Sequence, residues 1–262
     1  MHISANGIRF RYEIAGETGP VVLLVHGLGG SSAQWGGVAQ LLSPVCRLVM
    51  VDLRGHGQSD KPPGPYALKM FVDDLGALCD ALKIDRCVAV GASMCGAVVL
   101  QLAAERPALV QAVVPVGGFA VMGPVGKERM TQRAAAVEKD GMAGAVDAIL
   151  AGALGATTHA TNPSLVALQR ALLLENDPKA YAAATRAVVE IDVAAHLPRV
   201  KCPTLLLFGA EEKVAPLPAQ QQLKRAIPHA QVRAIPHAGH LPFVERPGDV
   251  AAALMEFLVL SS

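Results

Sequence analysis

Residues 89–97 read AVGASMCGA. A serine stands there between the apolar run Cys87–Val90 and a stretch whose apolar positions include Val98, Val99 and Leu102. That is the pattern of a sharp strand-to-helix turn, G-x-S-x-G. Such a turn lifts the serine to the carboxyl end of a sheet and points the first free N–H groups of the helix into the same space. Strand and helix backbones pass close together there, so small residues belong two before and two after the serine. Gly91 meets the need; Cys95 adds a Cβ and a sulfur, and the second glycine has moved by one, to Gly96. The same residues also allow a plainer reading of Ser93 as a helix N-cap, a position that serine favours in its own right.

The rest of the chain gives the turn its setting. IRFRYEI (8–14) alternates apolar and charged residues, the pattern of a half-exposed antiparallel strand. VVLLV (21–25), CRLVMV (46–51), CVAV (87–90), VQAVVPV (110–116) and TLLLF (204–208) are continuous apolar runs. Runs of that kind suit strands of a parallel sheet covered on both faces. Helical patterns fall between them, near 32–42, 68–82, 94–105, 217–227 and 248–259. The alternation predicts an α/β domain, a mostly parallel twisted sheet with helices on both faces.

One gap breaks the alternation. Between Val116 and Thr204 the chain is alanine-rich and without a convincing strand. Asn162-Pro163 and Asp177-Pro178 are N-caps followed by a first-turn proline, and Asp140-Gly141 reads as a helix end. Three or four helices are expected between Gly126 and Glu190, the second loosened by Gly141, Gly144, Gly152 and Gly155. The expected division is a core of 1–122 and 197–262 with a helical cap, 123–196, inserted in it.

The chain has 262 residues, 52% of them hydrophobic and 17% charged, enough for one large domain with a substantial core. A net charge of +1 and the lack of a basic cluster argue against nucleic acid or an anionic membrane as partner. Five cysteines without a C-x-x-C pair suggest neither a disulfide framework nor a zinc site. Without a secretory pattern at MHISANGIRFRYEIAG or a long apolar run, the expectation is a soluble protein of a reducing, cytoplasmic compartment.

If Ser93 is a nucleophile, it needs partners. HGLGG (26–30) follows a buried strand and can turn the Leu28 N–H toward the serine; the Met94 N–H would be the second donor to an oxyanion. DLRGHGQSD (52–60) is read as a self-bonding loop, with His56 structural rather than chemical. Of the eight histidines, His240 in HAGHLPFVERP sits on a turn after the strand-like Gln231–Ile235, with His237 as its rival. Imidazole suits a base that must take and return a proton near neutrality. An acid would come from GAEEKVAP (209–216), where either Glu211 or Glu212 could reach, or where both could simply face solvent. Serine, acid, then histidine is the chain order expected on such a sheet.

HGLGGSSAQW, DLRGHGQSD, VGASMCG, PTLLLFGAEEKVAP and HAGHLPFVERP, in that order, resemble the α/β-hydrolases over nearly the whole chain. RGHGQSDKPPGPYAL and VEIDVAAHLPRVKCPTLLLFG further resemble the 3-oxoadipate enol-lactonase-like and esterase branch. The resemblance implies an α/β-hydrolase fold and a serine hydrolase of small esters or lactones, with no cofactor or metal. It makes Ser93 the nucleophile, His240 the base, Glu212 the acid, and Leu28 and Met94 the oxyanion donors. Glutamate for aspartate at 212 and cysteine for glycine at 95 depart from the family pattern. The expected pocket walls are Leu28, Trp35, Met94, Phe119 and Met122. A carboxylated substrate would want an inward arginine from Arg129, Arg133, Arg170 or Arg186. A carbon–carbon hydrolase of a diketone is the alternative within this chemistry, and a catalytically decayed ligand-binding protein the alternative outside it. Epoxide hydrolase or dehalogenase chemistry is disfavoured, since those relatives carry a carboxylate where Ser93 stands.

Overall fold

The computed structural model describes residues 1–260. Its strands are β1 (His2–Ala5), β2 (Ile8–Ala15), β3 (Val21–Val25), β4 (Arg47–Val51), β5 (Cys87–Ala92), β6 (Val110–Val116), β7 (Leu205–Gly209) and β8 (Gln231–Ile235). They form one sheet in the order β1-β2-β4-β3-β5-β6-β7-β8. β1 and β2 pair antiparallel with each other and β2 with β4; every later pairing is parallel.

The continuous apolar runs divide between two faces, as period-two side chains must. In β3, Leu23 and Val25 enter one core cluster while Val22 and Leu24 enter the other. β4 does the same with Val49 and Val51 against Leu48 and Met50. The helices of the sheet domain are α1 (Gly36–Leu42), α2 (Leu68–Ala81) and α3 (Met94–Glu105), then, after the inserted helices, α9 (Leu217–Ala226), α10 (Pro242–Glu245) and α11 (Pro247–Leu260). Phe71 and Leu75 of α2, Val98 of α3 and Leu223 of α9 cover the first face. Val38 and Leu42 of α1 with Leu254 and Phe257 of α11 cover the second.

Between β6 and β7 come five α-helices, rather than the three or four expected: α4 (Pro124–Asp140), α5 (Val146–Ala153), α6 (Ala156–Thr161), α7 (Pro163–Leu174) and α8 (Pro178–Val189). The glycine-containing stretch is broken into a single 3-10 turn, the short α5 and the shorter α6. Asn162 accepts from the Leu165 N–H and Asp177 from the Ala180 N–H, so both asparagine/aspartate–proline starts are true N-caps. The insertion leaves and returns through paired backbone: Met122 N–H donates to Ile191 and Val193 N–H to Ala120. Its helices gather a third apolar cluster around Val137, Val146, Leu150 and Tyr181, with Leu28 and Leu241 of the sheet domain packed against it. No helix among the described residues is long and apolar enough to cross a membrane.

This topology chooses where a site can lie. After β4 the chain crosses back over β3 to begin β5, so the crossovers diverge at the β3–β5 boundary. Open α/β sheets form a crevice at the carboxyl ends of the strands where the order reverses in this way. Leu28 follows β3 and Ser93 follows β5, one on each side of that crevice.

Candidate active site

Ser93 has φ 55° and ψ −120°, outside the regions an L-residue normally occupies. Strain of about 1–3 kcal/mol persists only where the surroundings over-determine the conformation. Here they do. The Ser93 N–H is held by the Val116 carbonyl, and its own carbonyl accepts from Gly96. Ser93 stands at the N-cap position of α3, but its side chain makes no capping bond. A Cβ on Gly91 would stand 2.1 Å from the Cys95 carbonyl oxygen, which explains the first glycine of the turn. A Cβ on Gly96 would stand 2.6 Å from the Gly118 Cα, which explains the displaced second one. Cys95 itself is fully buried in the first core cluster.

The half-buried Ser93 hydroxyl lies 2.7 Å from His240 Nε2. On the other side of the ring, His240 Nδ1 lies 2.7 Å from Glu212 Oε2. A carboxylate only accepts, so Nδ1 carries the proton and Nε2 is left to accept from the serine. Glu212 Oε1 accepts from the N–H groups of Val214 (2.6 Å) and Ala215 (3.1 Å), leaving no lone oxygen on a side chain only 2% exposed. Burial pushes the Glu212 carboxyl up, but the His240 ring and those two N–H groups outweigh it and hold it below its ordinary value. Glutamate in place of aspartate therefore reaches the ring without an unsatisfied group.

Glu211 and His237, the rivals, are elsewhere. Glu211 accepts from the Thr157 N–H of α6, and His237 is exposed. Gly117 is a site residue that reading the sequence missed. It sits at φ 60°, and a Cβ there would lie 3.0 Å from both Glu212 Oε2 and His240 Nδ1. Its only trace in the sequence is a glycine pair at the end of a buried strand, Gly117-Gly118.

The N–H groups of Leu28 and Met94 donate to nothing within the described residues. For Met94, this is the ordinary state of a first helical turn. The loop before Leu28 is fixed by His26, whose Nδ1 donates to the Gly27 carbonyl while Nε2 accepts from Leu53 N–H. Burial lowers the His26 pKa and so favours the neutral ring that can do both. The 52–60 loop is largely self-bonding, as expected: Asp52 accepts from Gln58 N–H as well as Ser32 N–H, and His56 Nδ1 bonds the Arg54 carbonyl. Arg54 departs from that expectation, pairing instead with the buried Asp74 of α2.

A cavity of about 70 Å³ opens over Ser93 and His240. Its walls include Leu28, Phe119 and Met122, as expected, and Met130, Ile149 and Leu173 from the inserted helices. Two of the expected walls do not belong. Trp35 is fully buried on the other face of the sheet, stacked on Phe243 with ring centroids 4.1 Å apart, because the 3-10 turn Ser32–Trp35 packs against α1 and α10. The Met94 side chain points into the first core cluster. Of the four candidate arginines only Arg133 lines the cavity. Arg129 is exposed, Arg170 pairs with Asp147 and Arg186 with Glu138. No carboxylate among the described residues pairs with Arg133.

The family model for the alpha/beta hydrolase fold matches residues 20–247. The enol-lactonase from Burkholderia xenovorans LB400 superposes with a TM-score of 0.94 at 28% identity, covering 99% of this chain and 100% of that one. A thermophilic esterase from Thermogutta terrifontis gives 0.92 at 29% identity, with 100% and 98% coverage. A putative carbamate hydrolase, RutD, of Stutzerimonas stutzeri is 29% identical over 94% of this chain and 96% of its own length. With the fold, the crevice and the family match in agreement, the chain belongs to the α/β-hydrolase family.

Proposed function

We propose that the protein is a serine hydrolase of small esters or lactones, acting through an acyl-enzyme on Ser93. The observation that carries this reading is the unbroken row Ser93 Oγ, His240 ring, Glu212 carboxylate, with 2.7 Å at each junction. As the carbonyl is attacked, the Ser93 proton passes to His240 Nε2, and Glu212 steadies the imidazolium that forms. The carbonyl oxygen takes up negative charge and rests on the idle N–H groups of Leu28 and Met94. His240 returns its proton to the leaving oxygen. A water, deprotonated by the same ring, then releases the acid and restores the hydroxyl.

The helices α4–α8 act in this reading as a cap over the site. The small, mostly apolar cavity favours a short acyl group, and Arg133 favours a substrate bearing a carboxylate. The names of the enol-lactonase and esterase neighbours lend support to ester or lactone cleavage.

The test offers the purified protein short p-nitrophenyl esters, small lactones, a carbamate and a vinylogous diketone, beside a Ser93→Ala control. Ester or lactone turnover lost in the control supports the reading. Inertness of both proteins, with a ligand still raising Tm, would make the protein a binder instead. Turnover of the diketone alone would make it a carbon–carbon hydrolase.

A further inference from the structure

The residue before His240 is held by a carboxylate that the proposed chemistry does not use. Glu245, at the end of α10, is 7% exposed. Its Oε1 accepts from Gly239 N–H at 2.8 Å, and its Oε2 from Gly155 N–H at 2.7 Å and the Thr158 hydroxyl at 2.5 Å. Gly239 belongs to the His240 turn; Gly155 and Thr158 belong to the inserted helices. We propose that Glu245 is a positioning residue that ties the α6 segment of the insertion to the His240 turn, so that the posture of the cap sets the aim of the imidazole.

Three observations converge on it. First, every one of these neighbours is a donor, so both Glu245 oxygens must accept, which an ionised carboxylate does and an amide cannot. Glu245 has no ion-pair partner among the described residues, and burial pushes its carboxyl up against the pull of the Thr158 hydroxyl and the surrounding N–H groups. An acid is thus retained where burial disfavours its charge. Second, both N–H groups at the His240 end of the turn between β8 and α10 are held from outside the turn. Of the N–H groups at 239 and 240, the first goes to Glu245 and the second to the Ala153 carbonyl of α5, 2.9 Å away. Third, the acid loop meets the same segment. Glu211 accepts from Thr157 N–H at 2.9 Å, while its own N–H donates to Ala238 at 2.8 Å. Residues 153–158 therefore bind the loop carrying Glu212 and the turn carrying His240 together, and Glu245 is the junction that touches both insertion and turn. A general base displaced by a fraction of an ångström loses rate rather than affinity.

The inference rests on the proposed roles of Ser93 and His240, and the experiment separates the two. Steady-state kinetics on p-nitrophenyl acetate would compare wild type, Ser93→Ala, Glu245→Gln, Thr158→Val and Thr158→Ser, with Tm measured for each. The amide introduced by Glu245→Gln can satisfy one side only, since its NH₂ must face a donor on the other. Glu245→Gln is expected to lower kcat 10- to 100-fold with KM changed less than about threefold. Thr158→Val keeps shape but loses the hydroxyl, so kcat falls severalfold, whereas Thr158→Ser keeps the hydroxyl and the wild-type rate. The double variant Glu245→Gln/Thr158→Val loses no more than Glu245→Gln alone. A role in packing alone gives the opposite order, with Val tolerated and Ser impaired, and that result overturns the proposal. So does a folded Glu245→Gln protein with wild-type kcat. Should Glu245→Gln not fold, the two Thr158 variants decide. If Ser93→Ala is as active as wild type, the underlying hydrolase reading fails, and this inference with it; if only Ser93→Ala is impaired, this inference fails alone.

Discussion

Glu211 and Glu212 are neighbours in sequence that serve different partners: Glu212 Oε2 lies 2.7 Å from His240 Nδ1, and Glu211 Oε2 lies 2.9 Å from the Thr157 N–H. Glu212→Gln leaves the ring free to take the wrong tautomer and removes the charge that favours imidazolium. It is expected to lower kcat by about 10³–10⁴-fold, with KM little changed. Glu211→Gln loses only a contact to α6 and is expected to cost less than about tenfold. Steady-state rates on one ester settle the comparison, and equal losses would show that the two carboxylates share one role.

Gly117 should resist the smallest substitution. Gly117→Ala sets a methyl 3.0 Å from both Glu212 Oε2 and His240 Nδ1, at a φ of 60° that disfavours any side chain. The expected outcome is a stability loss of about 1–2 kcal/mol from the backbone alone, read by urea titration, with a fall in kcat beyond what unfolding explains.

The stability supplied by the Glu212 charge should be lost only in the acid range. Glu212 is held below its ordinary 4.5, so it stays ionised from pH 7 down to about 5. The stability that Glu212 contributes is full above pH 4.5 and is lost only as pH drops below it, through the lower folded value. The Tm difference between wild type and Glu212→Gln should accordingly be constant from pH 7 to about 5 and shrink below about 4.5. A difference that shrinks already between pH 7 and 6 would contradict the assignment.

Much of this arrangement was legible in the residues, and the exceptions have physical causes. Strands buried on both faces announce themselves as unbroken apolar runs, so β3, β4, β5, β6 and β7 could be read directly. β1 could not, because His2–Ala5 is a four-residue edge strand with alternating exposure and no apolar run. Ser93, His240 and Glu212 come together because each follows the carboxyl end of a strand in the same sheet, a relation the topology imposes. Trp35 was misplaced because a large aromatic beside a glycine-rich loop looks like a pocket wall from either face of the sheet. The constraint on Gly117 comes from side chains at 212 and 240, and no local pattern encodes it. Arg133 lies on α4, whose mixed polar pattern does not mark an inward face. Glu245 reads as an ordinary helix-turn acid until Gly155 and Thr158 arrive from the insertion.

Arg133 should set substrate preference. A charged hydrogen bond from its guanidinium to a substrate carboxylate is worth about 1.5–3 kcal/mol. Arg133→Met is therefore expected to reduce kcat/KM for a carboxylated ester, such as a p-nitrophenyl hemisuccinate, about 10- to 100-fold. The neutral p-nitrophenyl butyrate should change less than about threefold. Equal effects on both esters would show that Arg133 does not meet the substrate charge.

The most direct test of the serine mechanism is to label the nucleophile covalently. The protein would be treated with a fluorophosphonate, and the adduct located by mass spectrometry of its peptides. A serine mechanism predicts a single phosphonylated residue, Ser93, in wild-type protein, no adduct in Ser93→Ala, and much slower labelling in His240→Ala. Modification of another residue, or an adduct that forms as quickly without the His240 ring, would contradict it.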